Sequence, residues 1–92
     1  MRWHLEKHRD GWRTLVVVAH RARMVEVMGD MTDWSPLALT PLGGDQWEIE
    51  LPLDAGVHEI ELRLDGGAWL PPPGAPTRLD GFNGEVGQIV IE

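Results

Sequence analysis

Two stretches of the chain alternate strictly between apolar and polar residues. In residues 46–51, Trp47, Ile49 and Leu51 fall on one side and Gln46, Glu48 and Glu50 on the other. In residues 57–64, Ile60, Leu62 and Leu64 point inward and Glu59, Glu61 and Arg63 outward. A period of two is the mark of a strand with one dry and one wet face. Residues 24–28 open the same way, with Val25 and Val27 opposed to Glu26 and Met28. Residues 12–20 (WRTLVVVAH) are apolar and β-branched without alternation, as expected of a strand covered on both faces. Residues 87–91 close the chain as a strand, and residues 3–8 read as an edge strand ahead of the Asp10-Gly11 turn.

Turn signals separate these runs. Gly29-Asp30, then Asp33-Trp34-Ser35-Pro36, then Gly43-Gly44-Asp45, residues 53–56 and Asp65-Gly66-Gly67 each combine residues that accept positive φ or hydrogen-bond their own backbone. Residues 37–42 read as a half-apolar connector, and Leu70-Pro71-Pro72-Pro73-Gly74 as a stiff extended segment that cannot join a central strand. No amphipathic helical stretch of useful length is present. The pattern predicts an all-β fold, an antiparallel β-sandwich of about seven strands. Residues 1–92 read as a single domain with residues 1–11 adding an edge strand.

Composition narrows the function. The 92 residues contain no cysteine, which excludes a disulfide framework and thiol catalysis. No apolar run approaches the roughly 20 residues of a helical membrane span, so no membrane association is expected and a cytoplasmic location is the default expectation. The net charge of −7 is unevenly spread. Residues 1–23 carry six basic and two acidic side chains, a net of +4; residues 24–92 carry two basic and thirteen acidic ones, a net of −11. An acidic body repels a phosphate backbone, so nucleic acid is not an expected partner. The basic N-terminal edge suits a contact with an acidic surface, either a protein partner or a second copy.

Little in the sequence suits catalysis. Glycoside hydrolysis needs two carboxylates roughly 5–9 Å apart across a cleft, but the acidic residues fall mostly on wet strand faces or in turns. No nucleophile elbow, phosphate loop or zinc motif occurs. His4 and His8 have the spacing of two metal ligands on one helix face, but a third ligand is lacking and Asp10-Gly11 ends the stretch too early for a helix. The expectation is a non-catalytic protein without metal or cofactor.

The five tryptophans carry the remaining information. Trp47 alternates with Ile49 and Leu51 and belongs to the core; Trp12 opens a buried strand, and Trp3 lies on the edge strand. Trp34 and Trp69 stand in or beside turns flanked by Gly, Asp or Pro. Each either covers an open end of the sandwich or forms part of an exposed aromatic surface.

The order of these motifs resembles a known family. VEVMGDMTDWSPLALTPL, then QWEIELPLDAGVHEIELRLDGGAW, then DGFNGEVGQIVIE are similar to the glycogen-binding domain of the AMP-activated protein kinase β subunit. They are equally similar to the carbohydrate-binding modules of isoamylases and branching enzymes. The resemblance covers residues 24–92 and implies an immunoglobulin-like, early-set sandwich that binds an α-glucan such as glycogen, starch or a maltooligosaccharide. It implies that Trp34 and Trp69 stack on sugar rings, Trp69 with one extra residue after Asp65-Gly66. Asp33, Ser35 and Glu85 are candidates for polar contacts to the sugar. Two positions depart from the family: Glu61 stands where kinase-type domains have Lys, and Val86-Gly87 where they have an Asn pair. A protein-interaction or scaffold sandwich without sugar binding is the competing expectation.

Overall fold

The computed structural model describes residues 1–82 and 84–92. Among them the chain forms nine strands and no α-helix. One four-stranded antiparallel sheet contains β1 (Arg2–Arg9), β2 (Trp12–Val18), β6 (Gln46–Pro52) and β5 (Thr40–Gly43), in that order. The other sheet has five strands in the order β4 (Leu37–Ala38), β3 (Val25–Gly29), β7 (Gly56–Leu64), β9 (Glu85–Ile91) and β8 (Thr77–Leu79). The two sheets pack as a sandwich. A single 3-10 turn, Asp30–Thr32, follows β3.

The alternating stretches become the strands that supply the core. Leu15 and Val17 from β2, Leu51 from β6, Val25 and Val27 from β3, and Ile60 and Leu62 from β7 are all fully buried. Trp47 joins them from β6 at 8% exposure, and Ile89 and Ile91 from β9 complete the cluster. Burial of apolar area from both sheets at once is what holds two such layers together. Val16 is also buried, on the other side of β2, where it pairs between His4 of β1 and Glu48 of β6. On that face, one position of β2 has the double cover expected of its apolar run.

The strand count exceeds the expected seven because two segments extend the sheet edges. The connector 37–42 splits into β4, which pairs with β3, and β5, which pairs with β6. Leu39 crosses between the two sheets, 4% exposed, with its N–H donating to the Val25 carbonyl at 2.9 Å. Pro41 is tolerated in β5 because β5 is an edge strand. The other added edge strand is β8, three residues beside β9.

The Pro-rich segment does more than span a gap. Leu70 forms one bridge with Leu62, each N–H donating to the other's carbonyl at 2.8 and 2.9 Å. The chain then turns inward, and Pro72 is fully buried. Its ring packs so close to Gly87 of β9 that a Cβ there would lie 2.5 Å from Pro72 Cδ. Trp3 of β1 fixes the far end of the segment by donating its indole N–H to the Pro73 carbonyl at 2.7 Å.

A second close approach ends β3. A Cβ on Gly29 would collide with the Glu59 carbonyl oxygen and come within 2.8 Å of Met31 Sδ. Gly29→Ala is therefore expected to cost about 3 kcal/mol, since the obstacle is partly backbone. Urea denaturation should show a lower midpoint at an unchanged slope.

Candidate functional site

The turn that presents Trp34 is built on Gly29. Thr32 Oγ1 donates to the Gly29 carbonyl and accepts from the Gly29 N–H, both at 3.1 Å. The Trp34 N–H donates to the same carbonyl at 2.9 Å, and the Ser35 N–H to the Thr32 carbonyl at 3.0 Å. This winding forces two consecutive residues into the left-handed region, Asp33 at φ 53° and Trp34 at φ 59°. Aspartate tolerates that conformation; a bulky aromatic adopts it at a cost on the order of 1–2 kcal/mol. The residue held there, Trp34, is 41% exposed. Backbone strain that leaves a large apolar residue two-fifths exposed suits a surface contact better than a core lid.

Trp69 lies on the outer, wet face of the five-stranded sheet. The Leu62–Leu70 bridge sets Trp69 beside Arg63, whose guanidinium carbon is 4.4 Å from the indole centroid. Arg63 also holds Glu26 of β3 through Nε at 2.9 Å and Nη2 at 2.8 Å, both to Oε1. Cation–π stacking and the ion pair together fix the indole on the sheet.

The rest of this face is charged and partly closed. Arg78 reaches from β8 across β9 to Glu59 on β7, contacting both carboxylate oxygens. Val86 of β9 is buried at 4% exposure in the same region. Glu61, between Arg63 and Glu59 on the wet face, is only 8% exposed. Burial pushes its carboxyl above the ordinary range, and the nearby Asp80 carboxylate adds to the rise. Asp80 is held below its ordinary range, chiefly by the N–H groups of Phe82 and Gly84, which it accepts at 2.7 and 3.1 Å.

Three of the expected site residues, Asp33, Trp34 and Ser35, share one turn at the Gly29 end of β3. Trp69 stands on the row of Glu26 and Arg63, three positions or roughly 10 Å along the strand direction from Gly29. Glu85 opens β9 opposite Leu79, at the β8 edge, with β7 and β3 between it and the Trp34 turn. Arg63 and Glu26 were not among the sequence candidates. Their signal was the hairpin's symmetry, because Arg63 and Trp69 stand equally far from Gly66 and so share a face.

His4 and His8 lie on an extended strand, where four residues span roughly 13 Å. They contact Glu6 at 2.9 Å and Glu50 at 3.2 Å respectively.

The resemblance in motif order rests on the sequence alone: no protein-family model matches the chain, and no curated protein matches it. Chemically, the chain offers two separate indoles, Trp34 in the Gly29 turn and Trp69 packed against the Arg63 cation.

The Arg63 pairing has a measurable consequence. The side chains of Glu26 and Arg63 are only 12% and 24% exposed, so removing the cation strands a half-buried carboxylate. Arg63→Ala is expected to cost about 1–3 kcal/mol. The Glu26→Ala, Arg63→Ala pair should cost less than the sum of the single changes in a double-mutant cycle by urea denaturation.

Proposed function

We propose that the protein is a non-catalytic α-glucan-binding module of the immunoglobulin-like, early-set type. Its ligand is a glycogen, starch or maltooligosaccharide chain laid across Trp34 and Trp69. The observation that carries this reading is Trp34: a turn with left-handed backbone holds a tryptophan that stays 41% exposed. A glucose ring presents a flat face of C–H groups that stacks on an indole, while its hydroxyls meet carboxylates and backbone groups at the margin. Asp33 and Ser35 share the turn with Trp34 and serve the sugar stacked on it in this reading, and Arg63, paired with Glu26, packs on Trp69. Glu85 lies at the far edge and suits a longer chain only.

The departures from the family have physical counterparts. Glu61 replaces a Lys, but the neighbouring outward position carries Arg63, a cation already packed on an indole. Gly87 replaces an Asn because Pro72 occupies the space a side chain would need.

The expected affinity is modest. Trp34 can lose at most roughly 100 Å² of apolar surface to sugar and the half-buried Trp69 less, so 25 cal/mol per Å² gives an upper bound of about 5 kcal/mol for the two. Stacking adds ~1 kcal/mol per ring. Association takes back at least ~4 kcal/mol. The remainder corresponds to millimolar binding, enough to tether a protein to a polymer with many equivalent sites.

One observation favours a second reading, a protein-interaction domain. Strand β1 is an eight-residue sheet edge carrying Arg2, Lys7 and Arg9. Beside it an apolar groove of about 380 Å³ runs between Trp3 and Leu5 on one side and Pro76 and Ile89 on the other. An edge of this kind can accept an acidic strand from a partner or a second copy.

The readings separate on an amylose column and by light scattering. Retention of the wild type, lost in Trp34→Ala and Trp69→Ala while both remain folded, supports glucan binding. Free passage together with a dimer supports the interaction domain. Trp47→Ala serves as the core contrast and should cost about 3–5 kcal/mol of stability.

A further inference from the structure

We infer that His58 is a positioning residue for the Trp34 turn, holding it when the ring is an imidazolium and releasing it when the ring is neutral. The inference rests on the glucan-binding reading only for its effect on affinity; the conformational effect stands without sugar.

The argument starts from hydrogen-bond stoichiometry. His58 Nε2 lies 2.7 Å from the Asp54 carbonyl oxygen, and Nδ1 lies 3.0 Å from Asp30 Oδ1. A carbonyl and a carboxylate only accept. Neutral imidazole has one N–H, so one of the two contacts would then set a lone pair against an oxygen. Only the imidazolium satisfies both. The ring has little room to turn away, since its side chain is 18% exposed. It stands opposite Ile89 of β9.

Asp30 transmits the state of the ring to the turn. It opens the Asp30–Thr32 segment, and its Oδ2 accepts the Glu59 N–H at 3.0 Å, so one carboxylate bridges that segment to β7. The Asp33 N–H donates to the Asp30 carbonyl at 3.4 Å, one residue before Trp34. The charged groups facing the ring are the carboxylates of Asp30, from the turn, and Asp54, from the β6–β7 connection. Burial lowers the affinity of the ring for its proton, but the bonds to Asp54 and Asp30 and the charge of both carboxylates outweigh this and raise its pKa above 6.5.

The sign follows. A group whose folded pKa is raised contributes stability that is fully present below its unfolded pKa and is lost as pH rises through the folded value. The clamp is closed in mildly acidic solution and opens on the alkaline side of 6.5.

The test is an NMR titration of the whole chain between about pH 5.5 and 9, without sugar, following the His58 ring and the Trp34 indole N–H. The expected result is a His58 midpoint above 6.5 and a Trp34 shift with the same midpoint. His58→Gln, which keeps a donor for Asp54 but cannot charge, should leave Trp34 insensitive to pH over this range. Asp30→Asn can donate to a neutral ring, and should move the His58 midpoint down. A wild-type His58 midpoint at or below 6.5 overturns the inference, as does a Trp34 signal that stays still while His58 titrates; neither depends on a variant that folds. With maltoheptaose added, affinity should fall about fivefold across the transition, a modest coupling between sites. A protein that shows the coupled titration but ignores maltoheptaose keeps this inference and loses the glucan reading.

Discussion

The organisation of this protein depends on one close approach, that of the Gly29 backbone to the Glu59 carbonyl. Because Gly29 has no side chain, β3 can end directly against β7, and the chain can wind immediately into the Asp30–Thr32 turn. The Gly29 carbonyl then accepts from both Trp34 and Thr32, which fixes where the exposed indole emerges. The same winding brings Asp30 within reach of the Glu59 N–H and the His58 ring. A substitution there would disturb the aromatic turn and the carboxylate clamp together.

The wet face of the five-stranded sheet is less wet than its sequence suggests. Glu26, Glu59 and Glu61 all lie on it, yet two are paired with arginines and the third is buried. The two arginines of residues 24–92, Arg63 and Arg78, are both used here. They neutralise carboxylates that would otherwise repel one another across adjacent strands. Arg63 has a further role, because its contact with Trp69 turns a loop aromatic into part of the sheet surface. A face whose carboxylates are paired or buried and which carries an aromatic ring is the surface on which the proposed function rests.

Much of this was legible in the sequence, for physical reasons that differ by element. The alternation of residues 46–51 and 57–64 specified dry and wet faces directly, because a one-residue slip would have put every apolar side chain in water. Trp47 was therefore readable as core. Short edge strands were not readable: β4, β5 and β8 have two to four exposed residues each, too few for a period and dependent on a neighbour for their hydrogen bonds. Burial of Glu61 was also hidden, since its position in the alternation reads as wet, and the Asp80 charge that adds to its shift comes from about twenty positions away in sequence. The role of Gly87 likewise depends on Pro72, which reaches it only after the Pro-rich segment turns inward. Trp34 was legible as an anomaly in a turn; its left-handed backbone, which makes the anomaly costly, emerged only with the hydrogen bonds to Gly29.

The central claim is that Trp34 and Trp69 act as one sugar-binding surface across the Glu26–Arg63 pair. Intermolecular NOEs in a sample with excess maltoheptaose test it most directly. The account predicts cross-peaks from the sugar C–H protons to the indole rings of both Trp34 and Trp69, with none to the buried Trp47. Cross-peaks confined to β1 and its groove, or none at millimolar sugar, would contradict it.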